Sequence, residues 1–138
     1  MKKAFKGMTK DMTCQGYQYE IGGTYTHPGK VVCCPNCEQV KKGEGGFHAC
    51  ENAIDVLHYY PPCNGTRYFD VECDGDIAQS NDDSKLACKQ ITVSAEITLM
   101  QLVERGVQTI LERVKKIDTS KIKNGYRVTS VASGDQGT

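Results

Sequence analysis

The sequence predicts an α+β domain: a twisted, mainly antiparallel sheet with one short helix at about 51–60 and one long C-terminal helix at about 99–116. Three observations lead there. Short segments that alternate apolar and polar residues dominate the first two thirds of the chain, and such alternation marks antiparallel sheet with one wet face. Two later segments switch to the 3.6-residue period of an amphipathic helix. The chain has 138 residues, 38% hydrophobic and 25% charged, which fits one soluble domain around one core.

The elements follow in order. Short strand candidates lie at residues 3–6 and 30–33. Tyr17, Tyr19 and Ile21 alternate with Gln18 and Glu20, and aromatic or branched residues at period two favour a half-buried strand. Ala53, Val56, Leu57 and Tyr60 fall on one helical face, and Pro61-Pro62 ends that helix. Phe69, Val71 and Cys73 alternate with Asp70, Glu72 and Asp74, the cleanest strand pattern in the chain. Ile91, Val93, Ala95 and Ile97 share the next strand's apolar face, opposite Thr92, Ser94 and Glu96. Thr98 with Gln101 forms a capping box for the long helix, satisfying backbone N–H groups that a helix start leaves unpaired. Met100, Val103, Val107, Ile110, Leu111 and Val114 make its apolar stripe, and Lys115 and Lys116 suit the negative end of its dipole. Gly106 costs that helix about 1 kcal/mol against alanine, which points to a close packing contact. The folded domain is thus expected over 1–117, followed by a glycine-, serine- and threonine-rich tail at 118–138.

Seventeen basic and seventeen acidic residues give a formal net charge of +0, which argues against a duplex-DNA binder, because phosphate contacts leave a basic excess. No apolar run reaches membrane-spanning length, and the N-terminus lacks the apolar stretch of a signal peptide, so a cytoplasmic location in the host cell is expected. In that compartment the eight cysteines read as thiols or metal ligands and not as a disulfide framework.

The stretch VVCCPNCEQVKKGEGGFHAC gathers four cysteines and a histidine. Cys34-Pro35-Asn36-Cys37 is a C-x2-C knuckle, and His48 and Cys50 complete a tetrahedral set of the kind zinc takes in structural sites. Cys33 competes as a ligand, and the loop at 38–46 has no core of its own, so a metal would organise it. The competing reading makes His48 and Cys50 core or pocket residues. Cys50 also precedes the first helix, whose dipole would lower its pKa, but no third group orients a Cys–His pair for catalysis. Asp70, Glu72 and Asp74 read as a solvated strand face, and SNDDSK at 80–85 as turn chemistry. Phosphate loops and dinucleotide fingerprints are absent. The many tyrosines suggest a pocket that stacks a base or a ribose-bearing ligand. The residues assigned to it are Lys6, Tyr17, Phe47, His48 and Asn52, with Tyr59, Tyr60, Arg67 and Lys85.

Taken together, AFKG, TCQGYQYEIGGTY, GFHACENAIDVLHYYPP, RYFDVECDGDI and DDSKLACKQITVSAEITL resemble a family of uncharacterised phage and prophage domains, over about 3–113. Members of that family often continue into glycine-, serine- and alanine-rich tandem repeats, which residues 124–138 resemble in composition. The family pattern includes the H-x-C of His48 and Cys50 and an upstream cysteine like Cys33, but not CPNC, which favours His48 as a pocket residue. A weaker resemblance is to ADP-ribosyltransferase-like domains, with Lys6, Phe47-His48 and Tyr60 in the matching places and only Glu72 or Glu96 as acid. The expectation is a phage accessory protein that binds a nucleotide-like immune signal or a host protein, most simply as a homo-oligomer. An NAD-using transferase and a zinc-stabilised structural module are the rivals.

Overall fold

The cleanest alternation in the sequence becomes the longest pair of strands. The computed structural model describes residues 1–123, with side chains as far as residue 117. Along the chain run β1 (Lys2–Met8), β2 (Thr13–Cys14), β3 (Tyr17–Gln18), β4 (Thr24–Thr26), α1 (Cys37–Lys41), β5 (Phe47–Cys50), α2 (Ala53–Tyr59), β6 (Arg67–Gln79), β7 (Lys85–Ile97) and α3 (Leu99–Lys123). The fold is α+β, and among the described residues every pairing between these strands is antiparallel.

β6 and β7 form a hairpin from Tyr68↔Ile97 to Gln79↔Leu86, interrupted by register shifts at Asp70/Val71 and Asp74/Ile77. Gly75 sits in the second irregularity at φ +76°, where a side chain would be strained. Such bulges bend a strand and increase its twist. Here the two ends of the hairpin find different neighbours: β1 lies along the first half of β6, and β5 along Lys85 to Cys88 of β7. β1 and β5 then meet at Phe5↔Cys50, so the pairing β7–β5–β1–β6–β7 closes on itself, and β4 adds to β7.

Inside that ring Met8, Phe69, Val71, Leu86, Ile91 and Val93 are fully buried, joined by Phe47, Ala49 and three thiols. At about 25 cal/mol per Å² of apolar surface this burial is the main force holding the strands together. Lys6, 4% exposed, is the one charged side chain buried among the described residues. It shares the inward parity of Ala4 and Met8, donates to the His48 carbonyl, and lies 5.5 Å from the Tyr19 ring centroid.

A second apolar cluster lies outside the ring: Cys50, Ala53, Val56, Tyr68, Ile97 and Leu102, with Phe5 and Leu57 against it. It seats α2 and the first turns of α3. The Thr98–Gln101 box is formed, Gln101 N–H donating to Thr98 Oγ1 at 3.1 Å and Thr98 N–H to Gln101 Oε1 at 2.8 Å. Gly106 does mark a close contact, since a Cβ there would lie 2.2 Å from Ile54 Cγ1. Met1–Gly106 is one compact unit, and Val107 begins a second.

Four expectations change. The strand expected over 17–21 is only Tyr17–Gln18, paired with Thr13–Cys14. Positive φ at Met12, Gln15 and Gly16 builds a tight turn there, after which Tyr19 is buried and Ile21 exposed. Residues 30–33 form no strand, only an isolated parallel bridge from Val31 to Gly45. The loop at 38–46 contains α1, because Asn36 and Gln39 cap each other at 2.8 and 2.9 Å. α3 runs on to Lys123, so the expected domain boundary at 118 falls within a helix, and the tail beyond residue 123 lies outside the described residues.

Candidate functional site

Alternation along β5 sends Phe47 and Ala49 into the ring and leaves His48 and Cys50 on its outer side. Register then places Lys85 opposite Cys50 and Ala87 opposite His48. The outer face of β5 and β7 is flanked by the loop carrying Cys33 and Cys34, by α2, and by the turn before β7.

His48 is held at the edge of this face. Its Nε2 accepts from the Cys34 N–H at 3.2 Å, and the ring is also hydrogen-bonded to the Gly46 backbone. Burial, with the charges of Lys85 and then Lys6 adding to it, lowers its pKa to about 4, so the imidazole is neutral at pH 7. Cys34 carries the strain on this side, a non-glycine residue at φ +61°. Cys33 Sγ lies 3.8 Å from Cys34 Sγ and 3.9 Å from the Lys85 carbonyl.

On the opposite flank Lys85 Nζ sits 4.4 Å from the ring centroid of Tyr59, a cation–π contact on a residue that is 44% exposed. The Tyr59 hydroxyl donates to Asp83, which holds the Asp83 carboxyl below the ordinary carboxylate range. Ser84 Oγ donates to Asp55 at 2.6 Å and accepts from the Asn52 N–H at 2.9 Å, tying the turn to the start of α2. Asp55, Asp83 and Ser84 were legible in sequence only as helix and turn residues. No motif signals that they brace Tyr59 and Lys85.

Cys50 and Cys33 do not ionise readily. Cys50 was expected to gain acidity from the helix dipole, but it is buried, and that burial, followed by Asp83 and Asp55, pushes its pKa up to about 12. Helix α2 begins only at Ala53, with Asn52 as its cap. Burial and the contact with Cys34 raise Cys33 to about 11.

Among the described residues, no three His, Cys, Asp or Glu side chains converge on a point that could hold a metal ion. Of the four expected zinc ligands, Cys34 and His48 meet through the Cys34 backbone, Cys37 opens α1 exposed, and Cys50 packs in the outer apolar cluster. For His48 to ligate through Nε2, it would have to give up the Cys34 N–H.

The nine residues expected to bind a ligand are thus divided. His48, Tyr59 and Lys85 stand around one face, with the backbone of Asn52 beside them through Ser84. Tyr17 and Phe47 join a different group, an aromatic cluster with Tyr19 and Tyr25 in which Tyr17 and Phe47 centroids are 5.4 Å apart. Lys6 lies between the two groups, reaching the His48 carbonyl from inside the ring. Tyr60 donates to Cys14 Sγ at 3.1 Å, and its Cβ packs where a Gly7 side chain would be. Arg67 is remote, gripping Glu96 with Nε and Nη2 at 2.9 and 2.7 Å. Asp70 pairs with Arg105 at 2.7 Å and Asp74 with the N-terminal amine at 3.4 Å, which makes that strand face an ion-paired one.

Among curated proteins and solved structures, none matches the chain. One family model does, over residues 2–105, and these hold the whole ring, both apolar clusters and the outer face of β5 and β7. The chain belongs to that family, described as a domain of unknown function, DUF7666.

Proposed function

We propose that the protein acts by binding, taking a nucleotide-like anionic ligand on the outer face of β5 and β7. The observation that carries this reading is the Lys85 ammonium seated on the exposed ring of Tyr59, beside a neutral His48. A flat ring offers stacking to a base, worth about 1–3 kcal/mol, and the ammonium offers a counter-charge to a phosphate. Chemistry has less to work with. The Cys33 and Cys50 thiols titrate well above neutral pH, His48 is hydrogen-bonded at Nε2 and to Gly46, and Glu96 is committed to Arg67. The sequence resemblance to phage and prophage domains supports an accessory role in infection, namely sequestering a nucleotide-like immune signal of the host.

The test is a melting-temperature screen against mononucleotides, cyclic nucleotides and ADP-ribose. A ligand that binds the folded state raises the melting temperature increasingly with concentration. Lys85→Ala and Tyr59→Leu should each abolish the rise while leaving the unliganded melt in place. No rise with any member of the panel overturns the reading and turns the search to a host protein. Release of nicotinamide from NAD with the ADP-ribosyl group recovered on an acceptor, and not as free ADP-ribose, would instead establish the transferase.

A further inference from the structure

The second compact unit poses its own question. Between Val107 and Ile117, α3 exposes Val107, Ile110, Leu111, Val114 and Ile117, each 46–54% accessible. Four of them follow a strict spacing of three and four residues: Val107, Ile110, Val114, Ile117. In sequence the same spacing extends back through Val103 and Met100. A helix that only covers a globular surface needs the 3.6 period and a broad apolar face. A seven-residue repeat drifts about 20° per heptad on a straight helix, so it stays on one line only when helices supercoil.

We propose that α3 joins the α3 helices of further copies of this chain in a parallel coiled coil, with Val107 and Val114 at a and Ile110 and Ile117 at d. The partner must carry the same seven-residue repeat, and a second copy of this helix does. In this register Arg113 falls at g and Asp118 at the following e, the two positions that face each other between parallel helices, and the residue types are of opposite charge. Gln108, Thr109, Glu112, Lys115 and Lys116 take b, c and f, so the back of the helix is polar. Branched residues at both a and d favour more than two strands, and Leu111 at e widens the seam in the same sense. A seam this short would be marginal between free peptides. The helix itself, however, is already nucleated within the first compact unit, at the Thr98 cap, buried Leu102 and the Arg105–Asp70 pair.

Sedimentation equilibrium or light scattering of the full chain tests this. The expected mass is that of three or more chains, falling to one chain in Ile110→Asp and in Val114→Asp. Both variants should keep the circular dichroism of the strands, since neither residue lies in the first compact unit. Arg113→Glu should weaken association, and adding Asp118→Lys should restore it. Failure of the double variant to recover overturns the parallel arrangement. A wild-type monomer, or an oligomer untouched by Ile110→Asp, overturns the proposal. A monomer that also co-sediments with anionic lipid vesicles would assign the apolar line to a membrane surface.

Discussion

The two faces of β5 compare two ways of making a site specific. FHAC puts Phe47 and Ala49 against the ring interior and turns His48 and Cys50 outward, Cys50 into the outer apolar cluster and His48 half-buried at the rim. The inner face is fixed by apolar packing, with Lys6 as its one buried cation. The outer face is fixed by individual hydrogen bonds: Cys34 to His48, Asn52 to Ser84, Ser84 to Asp55, Tyr59 to Asp83. Packing is cooperative and tolerates little, whereas a hydrogen-bonded rim can change one residue at a time. The inner face should therefore set stability and the outer face selectivity. Phe69→Ala tests the first half, with the largest expected effect. Phe69 is fully buried, so its loss should cost about 3–5 kcal/mol in urea unfolding. A loss below about 1 kcal/mol would mean that the ring interior is not the core.

His48 gives the next effect, and it is pH-dependent. Its folded pKa of about 4 lies below the 6.5 of the unfolded chain, so the unfolded state takes up the proton first. The stability tied to neutral His48 is complete above about pH 6.5 and drains as pH falls towards 4, by up to about 3 kcal/mol. Asp83 and Glu96, both held low by their partners, also lose stabilisation as pH falls. The diagnostic is therefore the difference between wild type and His48→Gln: the variant's melting temperature should fall less between pH 7 and pH 4. Parallel profiles would show that burial of His48 is not coupled to folding.

Where α3 meets α2, two opposing terms fix the sign of Gly106→Ala. Helix propensity favours alanine by about 1 kcal/mol. The new methyl, however, would stand 2.2 Å from Ile54 Cγ1, and overpacking of this kind typically costs about 1–3 kcal/mol. Gly106→Ala should therefore destabilise by a net amount up to about 2 kcal/mol. Ile54→Ala should relieve it, giving a favourable coupling in the double-mutant cycle. Additive single effects would mean that the helix shifts to make room.

How much of this was readable in the sequence depended on whether the signal was local. Phe69, Val71 and Cys73, the helix at Ala53, and the Thr98–Gln101 cap were all legible because alternation, period and capping are properties of neighbours in the chain. Closure of the ring was not, because it depends on register shifts at Asp70/Val71 and Asp74/Ile77 that send one hairpin to two partners. Tyr17–Ile21 misled because turn residues at Met12, Gln15 and Gly16 overrode strand propensity. α1 has a local signal, the Asn36–Gln39 capping box, but it lies among cysteines whose spacing equally suits a metal knuckle. On the outer face, Tyr59 and Lys85 could be picked out from residue type alone, but their bracing by Asp83, Ser84 and Asp55 joins segments 24 to 29 residues apart and leaves no local trace.

Arg67 separates the two faces most finely and carries the smallest effect. Chosen from sequence as a ligand residue, it belongs to the inner side: it lies 5.6 Å from the Phe69 ring centroid, opposite Met8, and grips Glu96. It is a half-exposed ion pair at the edge of the core, a kind that contributes about 0.2–1 kcal/mol. Arg67→Ala should lower stability by that amount and leave any nucleotide-induced rise in melting temperature unchanged, whereas Lys85→Ala should do the reverse. If Arg67→Ala instead removed the rise while costing no stability, the ligand would be reaching the end of the ring, and the division of labour between the faces of β5 would have to be redrawn around Phe69.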